Sequence, residues 1–345
     1  MDRDFYLQLA AEGHRVPIGT DLILRQRADA DAVVLDGQQL GGVIVEAAQR
    51  YRTPLAIPLM DLRLEKQALL ADFDLPAEAA DAFHVADQAA LDQLRTAPAT
   101  PRMDASCAAI GHVAQCAGLV PIGMCIGPFS LMTKMIADPI TPVYLAGAGQ
   151  SSRDAPEIAL MEECLAAGVR LIRQYVRRQL DAGAKAIIVC EPAANVAYFS
   201  PNQLARSFSV FDRYVMEGLR ALQEALKERD ADLILHDCGE LTDGMVARLA
   251  SLEPAILSLG SSRRLWEDAR LVPRRTVLYG NLPTKRFFSP ELPLDEVVRL
   301  TGELTARMKT SGHPFILGSE CDVLSVPDCE QEIADKVAAL LTAAA

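Results

Sequence analysis

The chain has 345 residues, half of them hydrophobic, with 46 acidic against 34 basic side chains and a net charge of −12. That length and apolar fraction exclude a disordered chain and allow a large buried core. The acidic balance without any basic block argues against a nucleic-acid surface, and no apolar run is long enough for a membrane span.

In chain order, the residue pattern predicts a short helix over 1–12, an extended stretch over 16–20, and a helix over 35–51. A buried strand over 55–61 ends in Asp61, a helical stretch covers 63–71, and an irregular acidic segment runs over 72–101. From there strands and helices alternate. Helix 104–118 precedes strand 120–126, a helical stretch over 129–138 is broken by Pro139 and Pro142, and the long helix 155–182 ends at Gly183. Strand 185–190 delivers Glu191, and helix 201–228 opens on Ser200-Pro201, a cap followed by a first-turn proline. Strand 232–237, helix 241–251, strand 255–259, a short helix near 263–269 and strand 275–279 follow, the last running into Gly280-Asn281. Helix 293–311, strand 314–318 and helix 328–343 close the chain.

Apolar strands alternating with helices imply a parallel sheet covered on both faces. Seven or eight such units over this length favour a closed (β/α)8 TIM barrel in the α/β class, one domain over 1–345 with an N-terminal helical extension. No Gly-x-Gly-x-x-Gly follows a strand, which weighs against a dinucleotide fold. The N-terminus Met-Asp-Arg-Asp-Phe-Tyr lacks the basic and apolar regions of a secretory signal, so a cytoplasmic location is expected. Eight scattered cysteines in so long a chain read as reduced thiols, most of them core or helix-face residues.

In a barrel the C-terminal strand ends build the active site. The polar residues there are Asp61, Glu191, His236, Cys238, Asn281, Glu320 and Cys321. His236 and Cys238 stand two apart at the end of an apolar run, so on a strand they face the same side. Cys321 ends another such run. Three N/S ligands at strand ends leave the fourth position of a tetrahedral metal open, as catalytic zinc requires.

These pieces carry a resemblance to a known family. Pro54–Ala71, Gly127-Pro128-Phe129-Ser130-Leu131, Glu191-Pro192 with Ser200-Pro201, His236-Asp-Cys238-Gly239, Tyr279-Gly280-Asn281 and Gly318-Ser-Glu-Cys321 resemble the uroporphyrinogen decarboxylase superfamily. Within it they are most similar to the zinc-dependent corrinoid methyltransferases of the methylcobamide:coenzyme M type, from about residue 14 to the C-terminus. The resemblance implies Zn2+ on His236, Cys238 and Cys321, activating a nucleophile such as a thiol toward a methyl-corrinoid. It implies Glu191 and Glu320 as orienting or additional ligands, and Asp61 as a group that meets a corrin or a substrate amine or else caps helix 62–71. Asn281 is expected near the cofactor. No Asp-x-His-x-x-Gly corrinoid-binding motif occurs, so the methyl-corrinoid would arrive on a separate carrier protein. The other substrate would be a small methyl donor or acceptor (a thiol, a pterin or a methoxylated compound), and a homodimer is possible because decarboxylase relatives pair. The alternative is a metal-free decarboxylase of a tetrapyrrole. Arg25-Gln26-Arg27 only partly resembles the arginine-rich turn that binds substrate carboxylates there, since Ala28-Asp29 follow. A non-catalytic corrinoid-binding protein is the third class, separated from the first by metal content.

Overall fold

A computed structural model describes residues 3–343 except 74, 76, 87 and 94–98. Its eight strands are β1 (Arg15–Val16), β2 (Leu55–Ala56), β3 (Val120–Ile126), β4 (Ala186–Cys190), β5 (Asp232–Asp237), β6 (Ile256–Leu259), β7 (Val277–Leu282) and β8 (Phe315–Ser319). Each is parallel to its neighbour, and the ladder runs from β2 through β8 and on to β1. The seam between β1 and β2 is crossed by the Thr20 hydroxyl, which donates to the Ile57 carbonyl at 2.7 Å. Ile18 and Ile57 pack together across the same seam. The architecture is a (β/α)8 barrel.

Alternation along the strands sorts the residues into two cores. Ile122, Met124, Ala186, Ile188, Cys190, Ile234, Ile256 and Tyr279 point inward and fill the barrel. Their neighbours Cys125, Ile187, Val189, Leu233, Leu235, Leu257 and Leu278 point outward to the helices. With both faces buried, the strands read as continuous apolar runs. The same parity carries His236 inward, two residues beyond Ile234.

The expected N-terminal helix is Arg3–Ala11, and it closes the lower end of the barrel. Its Tyr6 and Leu9 join the inner cluster, and the Tyr6 hydroxyl donates to Asp232 at 3.1 Å. Residues 1 and 2 lie outside the described set, as do several of the segment expected to be irregular. That segment's described parts contain two short helices, Ala77–Ala82 and Gln88–Gln93.

Several boundaries differ from expectation, each for a local reason. Helix 201–228 is broken into Pro201–Leu204, Ser209–Phe211, a wide turn over Asp212–Met216 and Glu217–Lys227. At the break Ser207 Oγ accepts the Ser209 N–H, and Phe208 turns to stack under Arg248. Pro139 and Pro142 do not end a helix; they start one, Ile140–Gly147, where Asp138 accepts the N–H groups of Ile140 and Thr141. Proline in a first turn forfeits no helical bond. Strand pairing is shorter than expected at 16–20 and 55–61, and longer at β7, which carries Asn281 inside the strand.

Candidate metal centre

The ladder register builds the upper layer of the barrel. It pairs Cys190 with His236 and His236 with Ser258 on adjacent strands. The His236 ring is buried, and its Nδ1 lies 2.8 Å from Ser258 Oγ. In the tautomer that donates to Ser258, Nε2 presents its lone pair, and this buried atom has no protein partner. Cys238 follows one residue past β5 on the same side. Cys321 arrives two residues after β8, its carbonyl accepting from the Thr284 hydroxyl at 3.3 Å.

The two sulfurs are 3.8 Å apart, and one donor atom from each of His236, Cys238 and Cys321 falls within 4.8 Å of the others. Zinc–sulfur bonds of about 2.3 Å at the tetrahedral angle put two thiolates roughly 3.8 Å apart, so the donor set fits zinc. In the metal-free pair, one proton is shared. The hydrogen bond from Cys321 holds the Cys238 thiol far below its usual range, with His236 and Lys285 adding to the effect. The same bond pushes Cys321 far up. Gly260 makes the close approach possible, because a Cβ there would lie 2.6 Å from the Cys238 carbonyl oxygen.

The sequence matches the family profile described as Uroporphyrinogen decarboxylase (URO-D) over residues 24–340. The chain belongs to that family. Among solved structures it is similar in fold to a methyltransferase from Methanosarcina mazei, with a TM-score of 0.64 and 15% identity over 98% of each chain. No curated protein matches the sequence.

The acids of this URO-D family barrel occupy the same rim but are bonded differently. Glu191 is fully buried; its carboxylate accepts the Ser130 N–H at 2.5 Å and the Phe129 N–H at 3.3 Å, at the start of helix Pro128–Met135. Burial pushes it up to about 7 even against those two donors. A Cβ at Gly127 would overlap this carboxylate, which explains the glycine. Glu320 accepts the N–H of Ser261 at 3.0 Å and its hydroxyl at 2.5 Å, tying the loop after β6 to the segment that carries Cys321. Asn281 donates to the carbonyls of Gly260 at 2.7 Å and Arg263 at 2.9 Å in the same loop. Asp61 pairs with Arg102 and Arg63, accepting the Arg63 N–H at 3.1 Å just before helix Leu64–Leu69.

Four residues near the sulfurs escaped the sequence reading. Ser258 was detectable as the polar residue in the apolar strand Ile-Leu-Ser-Leu, but its link to His236 needs the register. Lys285 sits in the turn after β7; burial opposes its charge, yet the two nearby thiols hold its ammonium above its usual range. Met60 Sδ lies 3.9 Å from Cys321 Sγ. Asp322 is buried with neither carboxylate oxygen hydrogen-bonded, and burial, with Asp21 nearby, raises it well above the carboxylate range. No periodic signal marks these last three, because they lie on loops. All eight cysteines are free thiols.

Proposed function

We propose that this protein is a zinc-dependent methyltransferase that moves a methyl group between a corrinoid on a partner protein and a small substrate. The observation that carries the reading is the donor set: a buried, unpartnered His236 Nε2 facing two thiols 3.8 Å apart. A structural likeness to a protein named as a methyltransferase is in keeping with it. Zn2+ on these three residues would lower the pKa of a thiol in the fourth position, so that thiolate persists at neutral pH.

The chain's own residues set up that position. Ser258 fixes the imidazole plane and its tautomer. Lys285 offsets the negative charge of the two thiolates. Glu320 and Asn281 act as positioning residues, tying the loop after β6 to the segment that carries Cys321 and to β7, while Glu191 holds the start of helix Pro128–Met135 against the end of β4. Asp61, with its two arginines, lines the cleft next to Met60, where it would meet the substrate. Arg25 and Arg27 are engaged with Asp21 and Glu46, which disfavours a tetrapyrrole decarboxylase reading based on that turn. No described helix is long and apolar enough to cross a membrane.

The test is methyl transfer from methylcobalamin to thiols, pterins and aryl ethers, with and without zinc, in wild type and Cys238→Ser. Transfer that needs zinc and vanishes in a folded Cys238→Ser protein is expected. Full transfer by the zinc-free variant would sink the mechanism.

A further inference from the structure

The zinc centre proposed above draws three donors from this chain, and zinc in such sites takes four. Among the described residues no carboxylate oxygen joins His236, Cys238 and Cys321 within 4.8 Å. Glu320 and Glu191 are bonded elsewhere, the first to Ser261 and to the Lys285 N–H at 3.4 Å, the second to Phe129 and Ser130. What stands against the site instead is a sulfur. Met60 Sδ lies 3.9 Å from Cys321 Sγ, and Cys238 Sγ lies 3.8 Å from that same atom. Both separations match the edge of a zinc tetrahedron built on sulfur, roughly 3.8 Å for bonds of about 2.3 Å.

The fold directs Met60 to this place. Its side chain packs on the inner barrel cluster, three residues past Ile57, and Ile57 shares a small cavity with His236. The backbone is fixed on either side. Thr20 holds the Ile57 carbonyl, the Asp61 N–H bonds the Leu59 carbonyl at 3.0 Å, and the Asp61 carboxylate is gripped by Arg63 and Arg102. The methionine side chain between these anchors is unbranched and turns about three flexible bonds. It also lines a cleft of ≈ 330 Å³, shared with Asp61 and Arg102, which gives it room to swing aside.

We infer that Met60 is the fourth, displaceable ligand of the metal, closing the site until a thiol substrate arrives through the cleft. The inference rests on the reading of His236, Cys238 and Cys321 as a zinc centre. A thioether is a soft donor of the kind zinc accepts, but it is uncharged and holds the metal less firmly than a thiolate does. Two thiolates, a neutral imidazole and a thioether balance the 2+ charge, which suits a site whose cysteines are partly buried. On exchange the metal–Sδ bond breaks, the substrate sulfur takes the position as thiolate, and its proton leaves to water. No electron is transferred.

The test uses the full chain labelled with selenomethionine, reduced with a phosphine so that no added thiol competes for the metal. Zinc per chain is measured first, and X-ray absorption at the zinc edge then reads the neighbours of the metal. Labelled wild type should show one selenium at bonding distance. Labelled Met60→Leu, a volume-conserving change that keeps the fold, should keep its zinc and show two sulfurs and no selenium. Saturating mercaptoethanol should replace the selenium in wild type by sulfur. Stoichiometric zinc without a selenium neighbour overturns the inference and leaves the zinc reading standing. Selenium that survives in Met60→Leu, or that mercaptoethanol does not displace, overturns it as well. A wild-type chain that takes up no zinc ends the zinc reading, and the inference falls with it.

Discussion

The soft donors and the carboxylates at the mouth of this barrel come from neighbouring strand ends, yet their bonding separates them. Glu191, Glu320 and Asp61 have their oxygens on backbone N–H groups, a serine hydroxyl or guanidinium groups. His236 Nε2 has no such partner, and Cys238 and Cys321 bond mainly to each other. Residues that look alike in a list of polar strand ends thus divide into those that hold the scaffold and those left with ligand capacity to spare. Buried polar atoms are normally satisfied, so the unsatisfied set is where chemistry is expected.

The division can be broken by substitution. Ser258→Ala removes the bond that orients the imidazole and should weaken zinc binding by about 10–100-fold, the range for a lost outer partner of a metal ligand. Chelator competition measures it, and unchanged affinity would mean that the Ser258 contact is incidental. Glu191→Gln tests the other side. It should leave zinc content unchanged and alter thermal stability, because its oxygens serve Phe129 and Ser130. Loss of zinc in this variant would move Glu191 into the metal's own set.

Much of this arrangement was legible in the sequence. The apolar strands announced the barrel, and the two-residue spacing of His236 and Cys238 announced a shared direction, since a strand alternates by two. Cys321 was legible because it too follows an apolar run. The acids were legible as positions but not as partners: that Glu191 reaches the start of helix Pro128–Met135 depends on β3 lying beside β4, which no local pattern states. Lys285 and Asp322 were hidden for the same reason, being loop residues whose neighbours are set by tertiary structure. The π-type turn at Asp212–Met216 was hidden by the helical spacing on either side of it.

Two smaller effects sharpen the contrast. In metal-free protein, Lys285→Ala should raise the midpoint of Cys238 alkylation against pH, by up to about one unit for one lost neighbouring charge. An unmoved midpoint would mean that Cys321 and His236 alone hold the thiolate. Away from the sulfurs, Glu65 is buried with one oxygen accepting the Ile126 N–H at 3.1 Å, and burial pushes it from its ordinary 4.5 up to about 8. Between those values the folded state keeps a proton that the unfolded state has released, so stability falls as pH rises. Glu65→Gln should flatten that fall, melting with wild type near the lower value and above it near the upper one. Parallel melting curves across the range would show that Glu65 is not the group responsible.

The central claim is that the spare donors form one metal site, and the most direct measurement is zinc per chain in wild type, His236→Ala and Cys321→Ser. Zinc near one per chain in wild type, lost in both folded variants, is the predicted result. A wild-type chain that stays metal-free after reconstitution under reducing conditions, or a variant that keeps its zinc, would contradict the account.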